Sequence, residues 1–129
     1  MPAAISCVTV PVDDLQKSVG FYKALGLTPE ESDEDSAAFD LDGVYLVLLQ
    51  RGEFGVYVES VGHGAAGKGS SETILSYFTD SRGDVDTLLA KAKSAGAGAV
   101  TPAEDDEGSY SGYFTDPDGH IWEVLYDAG

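Results

Sequence analysis

Few residues in this chain are suited to chemistry: one cysteine, Cys7, two histidines, His63 and His120, and a carboxylate, Glu123, set inside an apolar strand. Glu123 lies in the run Ile121-Trp122-Glu123-Val124-Leu125-Tyr126. Strand alternation sends Ile121, Glu123 and Leu125 to one face, and Trp122, Val124 and Tyr126 to the other. A carboxylate between apolar neighbours is costly to bury without a partner. It could serve as a general base or pair with a ligand cation; the structural alternative is a hydrogen bond with Thr73, Tyr110 or water. Cys7 has no base near it in sequence, so a small, buried, apolar-like role is expected over a reactive thiol. His63 falls in a glycine-rich stretch and reads as a surface residue, and His120 opens the last strand on the Trp122 side.

The elements that must position these residues come as a repeat. Residues 5–12 alternate, with Val8, Val10 and Val12 on one face and Cys7, Thr9 and Pro11 on the other, so they form a strand. Asp13 is placed to cap the next helix, with Gln16 as the capping-box partner. Leu15, Val19, Tyr22 and Leu25 make its apolar stripe, and Gly26 its stop. A weak strand over 27–33 leads into an acidic loop, and 37–41 with 44–50 form a hairpin about Asp42-Gly43. Residues 51–72 carry six glycines and no sustained period. They read as a linker with at most a short turn of helix near 53–58.

From Thr73 the pattern returns. A strand over 73–79 precedes a helix begun by Asp80 or Ser81, with Val85, Leu88, Leu89 and Ala92 on one face and Gly96 at its end. A strand over 97–103, an acidic loop over 104–108 and a hairpin closed by the type I turn set Asp116-Pro117-Asp118-Gly119 complete the chain. Cys7 lies seven residues before Asp14 as Thr73 lies seven before Asp80, and 42–48 matches 118–124. The chain is therefore α+β, one domain over 1–129, with βαβββ modules at 5–50 and 73–127 joined by the linker 51–72. Two such modules should curl mixed sheets around a concave cavity, their valine-rich faces under the helices. Alternation sets Cys7, Thr9, Tyr45, Val47, Leu75 and Tyr77 on the cavity side and packs Trp122 under a helix. Of Tyr110 and Tyr113 only one can face the cavity; pairing Thr115 with His120 across the turn selects Tyr110.

Composition bounds the function. The 129 residues carry 7 Lys plus Arg against 23 Asp plus Glu, a net charge of −16. Such a chain repels nucleic acid and attracts cations, although acidity also serves solubility alone. No apolar run reaches membrane-spanning length, the start lacks a signal-peptide pattern, and the single cysteine suits a reducing compartment; a cytoplasmic protein with no membrane partner is expected. No Walker loop or dinucleotide fingerprint is present.

Two motifs, residues 12–22 (Val12-Asp13-Asp14-Leu15 through Phe21-Tyr22) with Leu25-Gly26-Leu27, and residues 110–124 (Tyr110 through Thr115-Asp116-Pro117-Asp118-Gly119-His120 to Val124), resemble the vicinal oxygen chelate superfamily, which includes glyoxalase I, bleomycin resistance proteins and extradiol dioxygenases. The resemblance implies the glyoxalase/bleomycin resistance fold and a homodimer, often with strands or modules exchanged. It maps the family's metal-ligand positions to Cys7, Val47, Thr73 and Glu123, where His, Glu or Gln are expected. Only Glu123 conforms, so no cofactor is expected and a divalent metal is disfavoured. The candidate site is thus Cys7, Thr9, Tyr45, Val47, Thr73, Leu75, Tyr77, Tyr110 and Glu123, with Glu123 as the candidate catalytic group. The first expectation is a small-molecule binding or sequestering protein with an aromatic, acidic cleft for a planar or cationic compound. The second is a glyoxalase-like lyase or isomerase, or a dioxygenase-related enzyme, with a non-standard metal site or Glu123 as base. The third is a non-catalytic interaction dimer whose cavity is filled by Tyr45, Leu75 and Tyr77.

Overall fold

Alternating apolar residues and two amphipathic helices produce the same arrangement twice. The structure, a computed structural model, describes residues 3–128. Its first module runs β1 (Cys7–Val12), α1 (Leu15–Ala24), β2 (Pro29–Ser32), β3 (Ser36–Asp40) and β4 (Tyr45–Gln50), followed by α2 (Arg51–Glu59). The second runs β5 (Ile74–Phe78), α3 (Arg82–Ala95), β6 (Glu104–Asp106), β7 (Ser109–Thr115) and β8 (Ile121–Asp127). The chain divides into two compact units between Gly67 and Lys68. Each unit holds one four-stranded mixed sheet, ordered β1-β4-β3-β2 in the first and β5-β8-β7-β6 in the second. This is the α+β, doubled βαβββ architecture that the repeat implies.

In the first unit Val10, Val12, Ala37, Phe39, Leu46 and Leu48 are buried with Leu15, Phe21 and Tyr22 of α1. The Tyr22 ring meets Phe21 edge-on at 5.2 Å and Phe39 at 5.8 Å. Burying a side chain of this size contributes roughly 1.5–3 kcal/mol, so this stripe fixes the helix to its sheet. Helix α1 is capped by Asp14, whose carboxylate accepts the Lys17 N–H at 3.2 Å, and not by Asp13. Asp13 is engaged elsewhere, in an ion pair with Arg51 at 2.5 Å. The β3–β4 hairpin turns on Asp42 and Gly43, both with positive φ (59° and 100°), the pattern of a type I′ turn.

The glycine-rich stretch is more ordered at its start than its composition suggests. Arg51 to Glu59 form a complete helix, longer than the short turn expected. Gln50 precedes it without capping it, because its side-chain oxygen accepts the Leu15 N–H at 3.0 Å. Arg51 fastens the helix start by donating to Asp13 and to the Ala66 carbonyl.

In the second unit Ser81, not Asp80, caps α3, its hydroxyl accepting the Asp84 N–H at 3.1 Å, and Gly96 ends the helix at φ 101°. Val85, Leu89 and Ala92 are buried against the sheet, where Phe114 and Trp122 stack at 6.0 Å. The strand expected over 97–103 is reduced to a single bridge, Val100 with Phe114, flanked by Gly98 N–H to the Thr115 carbonyl and Thr101 N–H to the Tyr113 carbonyl. Pro102 has no N–H to continue the ladder, and the pairing slips one residue before β6 resumes it with Glu104 opposite Ser111. The acidic segment expected as a loop is therefore a short strand, turning on Glu107 and Gly108.

Gly112 marks the tightest contact under α3. A Cβ there would stand 2.6 Å from Leu89 Cδ1 and 3.1 Å from the Thr101 carbonyl oxygen. Gly112→Ala should therefore destabilise the protein by about 1–3 kcal/mol. Gly20, inside α1 with open space at its Cβ position, should instead gain roughly 0.5–1 kcal/mol on replacement by Ala. Denaturant midpoints of the two variants should move in opposite directions; movement in the same direction would contradict this packing.

Candidate functional site

The pairing of three strands decides what surrounds Glu123. Parallel β5 sets Ser76 opposite Glu123, and antiparallel β7 sets Tyr113 opposite it from the other side. Directly paired residues share a sheet face. The Ser76 hydroxyl donates to Glu123 Oε1 at 3.0 Å and the Tyr113 phenol donates to Oε2 at 3.2 Å. Each carboxylate oxygen is thus held by a neutral hydroxyl from a different neighbouring strand. Among the described residues, no lysine or arginine pairs with Glu123. Ile74, Phe78, Ile121 and Leu125 share this face; Ile74 is 55% exposed, Phe78 67% and Tyr113 39%. The result is a fixed anion bordered by exposed apolar side chains.

This register corrects several sequence expectations. Leu75 and Tyr77 pair with Trp122 and Val124, so they lie on the face toward α3 and not with Glu123, and Thr73 precedes β5 and pairs with no residue of β8. The cause is a one-residue difference between the modules. Counting from the true caps, Asp14 and Ser81, Thr9 corresponds to Ser76 and Cys7 to Ile74. A one-residue slip moves every side chain of a strand to the opposite face.

Tyr110 is displaced for a similar reason. Thr115 pairs with Ile121, because Asp116 to His120 all belong to the turn; the Asp116 carboxylate accepts the N–H groups of Asp118 and His120. Tyr110 then pairs with Tyr126 on the α3 side, and Tyr113 takes the place opposite Glu123 on the other face. There the Tyr110 phenol donates to Asp86 at 2.6 Å, and the Arg82 guanidinium lies 4.1 Å over its ring while bonding Asp105 through both terminal nitrogens. Ser76 is a partner of Glu123 that the sequence reading does not name, Tyr113 is the alternative it sets aside for Tyr110, and the choice of Ser81 over Asp80 as the α3 cap is the signal that points to Ser76.

In the first module the expected residues do share a face: Cys7 pairs with Tyr45 and Thr9 with Val47. Cys7 is exposed, not buried as expected. The Tyr45 phenol is raised above its ordinary range chiefly by a hydrogen bond with Glu30 and by that carboxylate's charge. The row equivalent to Ser76-Glu123-Tyr113 is Thr9-Val47-Ala38, which has no charge. His120 lies in the turn before β8, and His63 follows α2, its N–H donating to the Val58 carbonyl.

The donor chemistry fits a transition-metal site poorly. At the mapped ligand positions Cys7 offers a thiol, Glu123 a carboxylate and Val47 no donor, and the second-module counterpart of Cys7 is Ile74, so two donors stand where catalytic zinc takes three imidazole, thiolate or carboxylate ligands. Among the described residues no three His, Cys, Asp or Glu side chains gather so as to hold a metal ion. No helix there is long and apolar enough to cross a membrane.

Comparison with known proteins agrees with this architecture. The chain belongs to the Glyoxalase/Bleomycin resistance protein/Dioxygenase superfamily, whose family model matches residues 4–124. Among solved structures it is similar to protein SA1046 of S. aureus, at 27% identity and a TM-score of 0.81 over 98% of this chain and 94% of that one. It is also similar to a lactoylglutathione lyase of Agrobacterium tumefaciens, at 25% identity and a TM-score of 0.74 over 98% and 95%. A glyoxalase-related enzyme of Fulvimarina pelagi shares the fold, at 24% identity and a TM-score of 0.84 over 96% and 88%.

The Glu123 charge, then the hydrogen bond to it, hold the Tyr113 phenol above its ordinary range. A phenol whose folded value is raised contributes stability that is complete below the unfolded value, about 10, and is lost as pH rises through the folded one. Phenolate absorbance should show one tyrosine titrating at lower pH in Glu123→Gln than in the unaltered protein, and Tyr113→Phe should remove that difference. Identical titrations of the parent and Glu123→Gln would contradict the pairing.

Proposed function

We propose that this protein binds and sequesters a small cationic compound with an apolar body, on the β5-β8-β7 face around Glu123 and without a metal. The observation that carries this reading is the pair of neutral donors on Glu123. Two hydroxyls orient the carboxylate, and among the described residues no lysine or arginine pairs with it, so a ligand cation would supply its counter-charge. The exposed Ile74, Phe78 and Tyr113 offer apolar surface for the ligand body, and the net charge of −16 favours approach of a cation. In this reading the protein is a cytoplasmic homodimer with no nucleic-acid partner.

An enzyme reading draws on the likeness to the A. tumefaciens lactoylglutathione lyase. Glu123 would then act as general base beside the Tyr113 phenol, both on one sheet face. The interaction-dimer reading loses support, since Leu75 and Tyr77, which were to fill the cavity with Tyr45, lie on the α3 side.

The test is thermal unfolding of chelator-treated protein with benzylammonium and with neutral benzyl alcohol. Benzylammonium should raise Tm, by an amount equivalent to about 2.7 kcal/mol at a hundred times its Kd, and benzyl alcohol should not. Glu123→Gln should weaken the effect at least about tenfold, since a charge-assisted hydrogen bond is worth roughly 1.5–3 kcal/mol. No rise, or an undiminished rise in Glu123→Gln, would overturn the reading. A stoichiometric Ni²⁺ or Zn²⁺ effect lost in that variant would favour the enzyme instead.

A further inference from the structure

The acceptor geometry at Glu123 narrows the kind of cation. Resting on the cation-binding reading above, we propose that this site selects cations bearing a flat fork of N–H donors, amidinium or guanidinium groups on an apolar body, over quaternary ammonium ions.

An ionised carboxylate has about four acceptor directions, two on each oxygen. Ser76 uses one on Oε1 and Tyr113 uses one on Oε2. Because β5 and β7 flank β8, the two hydroxyls reach the carboxylate from opposite sides within the sheet. One acceptor direction therefore remains on each oxygen. A planar fork with two parallel N–H groups satisfies such a pair at once, adding directional bonds to charge attraction. The hydroxyls also fix the carboxylate beforehand, so little side-chain freedom is lost on binding.

A quaternary ammonium ion has no donor for those acceptors and relies on aromatic faces. The aromatic residues of β5, β7 and β8 on this face are two, Tyr113 and Phe78, and only Tyr113 pairs with Glu123, so no cage of several aromatic faces surrounds the carboxylate there. The equivalent row of the first module, Thr9-Val47-Ala38, has no carboxylate, so of the two equivalent rows only the second carries this site.

The experiment is titration calorimetry of the full chain with benzamidine, phenyltrimethylammonium and neutral benzamide at one ionic strength. Benzamidinium should bind once per chain and at least about tenfold more tightly than phenyltrimethylammonium, the worth of one charge-assisted hydrogen bond. Replacing Glu123 by Gln should remove most of that preference. Equal affinity for the two cations, or tighter binding of the quaternary ion, would overturn this selectivity while leaving a cation site in place. Equal binding of benzamide, or binding of none of the three, would instead overturn the cation-binding reading on which it rests.

Discussion

The register of β8 between β5 and β7 is the constraint on which the site depends. Trp122 and Val124 must be buried beneath α3, and the alternation that buries them presents Glu123 on the opposite face. Gly112 opposite Val124 lets α3 approach closely, and Phe114 opposite Trp122 stacks with it. Once those contacts are made, Tyr113 has no freedom to sit anywhere but beside Glu123. The same packing that stabilises the second module thus orients its carboxylate.

The two modules share a fold and differ in this row. Thr9 and Ser76 are both small hydroxyl residues at equivalent places, but Val47 faces Ala38 where Glu123 faces Tyr113. Duplication keeps the strands, helices and caps, because these bury apolar surface in both halves. The exposed face is under no such demand, and there one module carries a charge while the other does not. A binding function confined to the second module is consistent with that difference.

Much of the fold was legible because it depends on local chemistry. Asp42-Gly43 forms its turn, Gly26 and Gly96 end their helices, and the Val8-Val10-Val12 face lies inward as the alternation indicates. The site was less legible, since strand faces change with a single residue. Whether Asp80 or Ser81 caps α3 is a local ambiguity, yet it decides whether Thr73 and Tyr77 or Ser76 accompany Glu123. The length of the turn after Thr115 likewise decides between Tyr110 and Tyr113, and it rests on how the Asp116 side chain gathers N–H groups. Pro102 and the slip beyond it could not be placed without the pairing partner. Glu123 itself was found by its conflict with an apolar strand, which needed no register to see.

Glu123, oriented by Ser76 and Tyr113, is the group on which the proposed cation binding turns. A crystal structure of the chain grown with benzamidine and without chelator, with anomalous data for bound metals, tests this most directly. The amidinium nitrogens should lie about 2.7–2.9 Å from the two Glu123 oxygens, with the Ser76 and Tyr113 bonds retained. A metal ion ligated by Glu123, or an amidinium seated elsewhere with Glu123 bare, would contradict it.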